Sequence, residues 1–320
     1  MLSTDVGSLP FVGDKKRFNE GAELAEQNLF SPRVENDALK YFEESVYQGF
    51  LKKLECGVDV PCFPQYRGML DQFINLYEKI SSFDETKYKT VPFLSDPNLP
   101  IVAELGALVK YSGIISEKFG RSIDMKVCIT GYITSGRSRD TAYYGFLMNL
   151  IDRSILKTKH LRTRIITIDE PVYDGVKIGI EDYENILHMA KSRNVETSLH
   201  THCESKKSIL ELKNLDIIEI HADSIDKETY DITKKDLETY DKKLQIGIGK
   251  TSPVNAVETV DTMKRRGRKA VSIFGIENIP YFSLECGMSA WDYEEALTNL
   301  RNMSRATREV NEELKMVVTS

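Results

Sequence analysis

The chain has 320 residues, 41% hydrophobic and 29% charged, with 19 Gly, 10 Pro and a formal net charge of −6. This is the composition of a globular protein and excludes a fibrous, coiled-coil or disordered chain. Its 43 basic and 49 acidic residues are interspersed, so no nucleic-acid partner is expected. The denser basic runs, 153–164 and 264–269, read as solvated helix ends and loops ahead of strands. The start lacks a basic segment followed by an apolar one, and no window of 18 uninterrupted apolar residues occurs. A cytoplasmic protein without a membrane partner is expected.

In chain order, β-branched runs stand at 2–6, 57–62, 125–130, 164–169, 195–200, 215–221, 244–250 and 269–274. Helix-period segments lie between or after them at 39–54, 70–81, 143–156, 183–192, 255–266 and 292–314. Eight strands alternating with helices predict an α/β fold of the (β/α)₈ TIM-barrel type, with residues 1–320 as a single domain. A doubly wound sheet would show a Gly-rich phosphate loop after its first strand, and Gly-Ser-Leu-Pro at 7–10 is not one. The stretch 82–98, with Pro92 and Pro97, reads as a surface excursion.

Five cysteines, an odd and widely spaced set without a CxxC pair, exclude a disulfide framework and a zinc ribbon. Cys56, Cys62 and Cys128 have no soft ligand beside them and read as core thiols. His160 and His188 read as surface or packing residues on helical stretches. Barrel active sites lie at the C-terminal ends of the strands, and there the runs end in Gly7-Ser8, Asp169-Glu170-Pro171, His200-Thr201-His202-Cys203, His221-Ala222-Asp223, Lys250-Thr251-Ser252 and Glu285-Cys286-Gly287. Imidazoles and thiols converging from three strand ends (His200, His202, Cys203, His221, Cys286) suit a tetrahedral Zn²⁺.

The ordered set Asp5-Val6-Gly7-Ser8-Leu9-Pro10, Pro64-Gln65-Tyr66-Arg67-Gly68-Met69, Thr130-Gly131, Ile168-Asp169-Glu170-Pro171, Leu199-His200-Thr201-His202-Cys203, Ser252-Pro253 and Glu285-Cys286-Gly287-Met288 spans nearly the whole chain. In this the chain resembles the catalytic domain of cobalamin-independent methionine synthase, in the short single-domain form found in archaea. The resemblance implies a zinc barrel in which the metal holds the thiol of homocysteine as a thiolate for attack on a donor's methyl group.

Carried over residue by residue, the resemblance makes Gly7 and Ser8 the loop for the homocysteine carboxylate and Asp169 the partner of its amino group. Gln65 occupies the place of a Glu that helps bind the amino acid in the large enzymes. Cys286 matches the distal zinc cysteine. The family's His-x-Cys pair is disturbed here: His202 with Cys203, His200 with His202, and His200 with Cys203 all remain open. The family's zinc Glu aligns with His221, with Glu219 two residues earlier.

The family's catalytic His aligns with Lys250 or Thr251, so Lys250 is a candidate catalytic residue. The folate-stacking Trp has no counterpart, and the half that helps present polyglutamyl folate is missing. A methylated corrinoid, either methylcobalamin or a corrinoid protein, is therefore expected as the donor. Two alternatives are an alkyltransferase acting on another thiol such as coenzyme M, and a non-catalytic metal-binding relative. A barrel of the uroporphyrinogen-decarboxylase-like kind lacks the Gly-Ser-Leu-Pro start and Asp-Glu-Pro middle.

Overall fold

The structure, a computed structural model, describes residues 1–82, 99–137, 140–175, 180–203 and 205–319. All of the expected excursion except Ser82 lies outside the described residues. Seven strands form one parallel sheet: β1 (Leu2–Ser3), β2 (Ile123–Thr130), β3 (Leu161–Asp169), β4 (Glu196–His200), β5 (Ile217–Ile220), β6 (Lys243–Gly249) and β7 (Tyr281–Leu284). The order is β1-β7-β6-β5-β4-β3-β2, and every paired strand runs parallel. These strands are buried on both faces, which is why they read as nearly continuous apolar runs.

The order leaves β1 and β2 at the edges, and residues 58–62 join them: Thr4 bridges Val60, and Cys62 bridges Lys126, both in parallel. The eighth stave is thus a pair of isolated bridges rather than a ladder. Pro61, in its middle, has no N–H to give. The α/β barrel expected from the sequence is present in this form.

Among the described residues the helices are α1 (Lys15–Gln27), α2 (Asp37–Glu55), α3 (Met69–Ser81), α4 (Ala103–Phe119), α5 (Thr141–Asp152), α6 (Ile180–Ser192), α7 (Lys207–Leu210), α8 (Ala222–Lys227), α9 (Lys234–Tyr240), α10 (Val260–Phe274) and α11 (Tyr293–Thr319). Side chains of Asp14, Asn36, Asp140, Thr233 and Thr259 accept hydrogen bonds from first-turn amides and fix five of the starts. α1 and α4 were not expected from the sequence.

The run 269–274 is not a strand. It is the second half of α10, whose buried face (Met263, Arg266, Gly267, Ala270, Phe274) repeats every three to four residues. Gly275, at φ 82°, ends the helix, and the strand that follows is β7, Tyr281–Leu284. Nor is the basic run 264–269 a solvated end. The Arg266 side chain is 1% exposed and is clamped by Asp226 and Glu258. His160 precedes β3 in a bend rather than a helix, whereas His188 is exposed on α6.

Val60, Ile165, Ile217 and Tyr281 form a separate apolar cluster. They come from alternate staves, so they meet only inside the ring, as one layer of four. Two residues further along the same staves stand Cys62, Thr167, Glu219 and Ser283, all buried. The layer above the apolar plug therefore carries polar groups. Lys126 of β2 reaches Glu219 of β5 at 2.9 Å and Gln245 of β6 at 3.1 Å, contacts that cross the barrel because β2 neighbours neither strand.

Closure between β1 and β2 rests on Lys53 of α2. Its fully buried ammonium bonds Asp5 Oδ2 (2.6 Å), the Gly7 carbonyl (2.6 Å) and the Cys62 carbonyl (3.0 Å). Lys53→Met strands the Asp5 carboxylate in the core, so denaturant unfolding is expected to show a loss of about 3–5 kcal/mol. Lys52→Met, whose salt bridge to Glu55 is 44% and 32% exposed, is expected to change stability by about 1 kcal/mol or less.

Candidate metal and acceptor site

Three of the five expected donors, His200, His202 and Cys286, come together at the strand ends. β4 ends on His200, His202 lies two residues beyond it, and Cys286 lies two residues beyond β7. The ligand atoms of these three lie within 4.8 Å of one another. His200 Nε2 and His202 Nε2 are 3.2 Å apart. Cys286 Sγ is 3.6 Å from His202 Nε2 and 4.0 Å from His200 Nε2. His221 stands beside the group at the end of β5, its ring 5.6 Å from that of His200 and 5.2 Å from that of His202, while the converging ligand atoms are those of the other three residues. The His221 Nε2 is buried without a hydrogen-bond partner, a cost the protein alone does not offset.

Cys203 does not join this group. Its Sγ lies 3.1 Å from the Ser205 carbonyl and 3.3 Å from Thr201 Oγ1. The loop is held in that course by Lys206, whose buried ammonium bonds both oxygens of Thr201. Of the three pairings open at this motif, the geometry brings together His200 with His202. Glu219 is not directed at the cluster either. One carboxylate oxygen sits 2.6 Å from His200 Nδ1, and the other takes Lys126 at 2.9 Å and Ser198 Oγ at 3.2 Å.

The electrostatics suit a cation. Burial works against a charge on His200, but Glu219 with the Cys286 thiol beside it raises its pKa to about 10. Burial likewise opposes the Cys286 thiolate, yet hydrogen bonds from His200 and His202 bring it down to about 6. Burial and the neighbouring charges of His200, Lys206 and His202 push His221 down to about 3, which leaves it a neutral imidazole near pH 7. A thiolate, an imidazole with an unpaired buried nitrogen and two more imidazoles form a donor set that fits Zn²⁺. His200 would offer such a metal its Nε2, with Nδ1 directed to Glu219.

Asp169 pairs with His200 across β3 and β4. Its carboxyl is buried, Oδ1 has no partner, and burial pushes its pKa up to about 7 against the pull of His200 and Lys126. Glu170 turns away, accepting the amides of Ile133 and Thr134. On the far side, Gly7 at φ 129° carries no Cβ because one would sit 2.5 Å from Gln65 Oε1. The Gly7 carbonyl takes Lys53 and the Gln65 amide (3.3 Å), which turns the Ser8 N–H to the opposite side of the planar peptide. Gln65 donates to the Cys128 carbonyl at 3.3 Å. A side chain on Gly287 would collide with Ser8 Oγ, so the loop carrying Cys286 packs directly on the Gly7-Ser8 turn. Lys250 is held as an ammonium by Asp223 (2.5 Å) and Asp226 (3.1 Å), and these hydrogen bonds raise its pKa. Lys126 and Lys206 were missed by sequence reasoning, although a lysine inside the run Met-Lys-Val-Cys-Ile was a usable signal.

A parallel α/β barrel with imidazole and thiol donors at its strand ends belongs to the barrel enzymes that do their chemistry at the mouth. Residues 154–309 match the family model described as cobalamin-independent synthase, catalytic domain. The chain is 26% identical over 299 residues to a methionine synthase of Sulfolobus acidocaldarius, covering 88% of this chain and 85% of that one. It is 24% identical over 334 residues to a methionine synthase of Sulfurisphaera tokodaii, covering 98% and 93%. A B12-independent methionine synthase from Shewanella sp. W3-18-1, solved with selenomethionine, shares the fold at a TM-score of 0.63 and 16% identity over 99% of this chain and 100% of that one. Over residues 154–309 the chain is thus similar to the catalytic domain of cobalamin-independent synthases, and over nearly its whole length it is similar to archaeal methionine synthases.

If the cluster is the metal site, purified wild-type protein retains one zinc per chain. His202→Ala and Cys286→Ala are expected to lose it in elemental analysis, while Cys203→Ala keeps it.

Proposed function

We propose that the protein transfers a methyl group to the thiol of homocysteine, giving methionine, and works as one catalytic barrel. The observation that carries this reading is the convergence of His200, His202 and Cys286 at the strand ends that also carry Asp169, a buried carboxyl with an unpartnered oxygen. His200, His202, Cys286 and His221 would hold the zinc, which supplies a Lewis acid that keeps the acceptor sulfur as a thiolate near neutral pH.

The chain's own groups fix the rest of the acceptor. Asp169 receives the ammonium, a charge that favours its ionised form and fills its empty hydrogen-bonding position. The Ser8 N–H, oriented by Lys53 and Gln65 through the Gly7 carbonyl, receives the carboxylate. A thiol with a sulfonate and no ammonium, such as coenzyme M, would leave Asp169 unpaired, which favours the amino acid over that alternative. Lys250, pinned by Asp223 and Asp226, serves as a fixed positive charge at the mouth rather than as a proton donor.

The donor is proposed to be a methylated corrinoid, free or carried on a protein. Its support is Trp291, the single Trp of the chain, which is 5% exposed and hydrogen-bonded through Nε1 to the Thr251 carbonyl at 3.0 Å. No tryptophan face is open for a pterin to stack on. With methylcobalamin supplied, homocysteine is expected to yield methionine, coenzyme M no methylated product, and methyltetrahydrofolate no turnover. Methylation of coenzyme M alone, or turnover with the folate, would contradict the reading.

Product binding isolates Asp169, because the methionine thioether does not titrate. By calorimetry, methionine affinity is expected to fall about tenfold per pH unit below about 7, as the Asp169 carboxyl takes up a proton. Asp169→Asn is expected to weaken binding about 10- to 100-fold at pH 8, the loss of one charge-assisted hydrogen bond, and to flatten that pH dependence.

A further inference from the structure

The acceptor site does not account for the ion pair inside the barrel. Lys126 is fully buried and touches none of the donor atoms of the cluster. Its ammonium lies 2.9 Å from Glu219 Oε1 and 3.1 Å from Gln245 Oε1. Gln245 is held in turn by Ser283 Oγ at 3.0 Å, and Ser198 Oγ adds a third contact to Glu219 at 3.2 Å. The other carboxylate oxygen meets His200 Nδ1 at 2.6 Å. These residues come from β2, β4, β5, β6 and β7, so a single chain of hydrogen bonds crosses the barrel and ends on a ring of the cluster.

An ion pair is an expensive occupant for this place. Two ions removed from water cost several kcal/mol each unless geometry and further hydrogen bonds compensate, and an apolar pair of similar volume is often as stable. The plug directly below, Val60, Ile165, Ile217 and Tyr281, shows that this barrel can fill its interior with apolar groups. The pair also has direction. Its anionic end accepts from the imidazole nitrogen that faces away from the cluster, which holds the ring so that Nε2 points toward His202 and Cys286. The carboxylate is in turn held from its other side, where Oε1 takes the Lys126 ammonium at 2.9 Å, so the orientation of Glu219 and of the ring it meets depends on that contact. The Lys126 ammonium balances that carboxylate.

We propose that Lys126 and Glu219 are positioning residues for His200: Glu219 fixes the ring with Nδ1–H inward and Nε2 toward the site, and Lys126 holds the Glu219 carboxylate in the place from which it does so. This rests on His200 being a zinc ligand. The first readout is zinc affinity, measured by competition with a chromophoric chelator. Glu219→Gln is expected to weaken it about 10- to 100-fold, the usual effect of losing such a partner, and Lys126→Met comparably although Lys126 touches no ligand. In the double variant the neutral Gln no longer needs a cation, so it is expected to bind zinc at least as tightly as either single variant.

The second readout is the proton spectrum of the metal-free protein. A far-downfield His200 Nδ1–H resonance, assigned by its loss in His200→Ala, is expected to move upfield in Glu219→Gln and to shift in Lys126→Met. Folded Lys126→Met with wild-type zinc affinity and an unmoved resonance overturns the proposal, as do losses that multiply in the double variant. If Lys126→Met alone does not fold, the double variant against Glu219→Gln decides: a further tenfold drop overturns the proposal. If the wild type binds no zinc, the reading of His200 as a ligand fails, and the resonance in the Lys126 variants still decides the positioning claim.

Discussion

An ammonium and a carboxylate face each other at 2.9 Å in the middle of the barrel, their side chains 0% and 4% exposed. Each offsets part of the cost of burying the other's charge. That single pairing fixes what the interior can be. It makes the layer above the apolar plug polar, it draws Gln245, Ser283 and Ser198 into one connected network, and it delivers a fixed negative charge to the back of His200. The mouth of the barrel is then built on a ring whose orientation is set from below, while Lys206 and the Cys286 loop hold His202 and the thiol from the sides.

Closure of the ring is a second constraint with a similar logic. The stave between β1 and β2 makes isolated bridges rather than a continuous ladder. The buried Lys53 ammonium adds to those bridges by donating to oxygens of Asp5, Gly7 and Cys62 at once. Two of those three belong to the segment that runs from β1 into the Gly7-Ser8 turn. Barrel integrity and the geometry of the acceptor site therefore depend on the same side chain, which explains why a lysine rather than an apolar residue occupies this position of α2.

Much of this was legible in the sequence for a physical reason. Parallel strands in a barrel are short β-branched runs, and function concentrates where they stop, so reactive residues at the ends of runs pointed to His200, His202, His221, Cys286 and Asp169. The failures are equally specific. The run 269–274 carries Val271 and Ile273 and imitates a strand, but its tertiary setting repeats at helical spacing. The true strand, Tyr-Phe-Ser-Leu, is only four residues long and follows a proline. Period alone could not decide which residues of the His-Thr-His-Cys motif converge, because the strand ends at His200 and the loop beyond it has no fixed alternation. The thiol of Cys203 turns away through contacts with Thr201 and Ser205 that no pattern encodes. The cross-barrel partners of Lys126 are 93 and 119 residues away in the chain, beyond any local signal.

In the proposed reading, three imidazoles and one thiolate replace a donor set richer in anions, so the bound metal keeps more of its positive charge and stabilises the acceptor thiolate more strongly. The most direct measurement is X-ray absorption at the zinc edge, with and without homocysteine. The account predicts nitrogen ligands with one sulfur in the resting protein and a second sulfur when homocysteine is added. Two sulfurs before any thiol is added, or no new sulfur after it, would contradict the account.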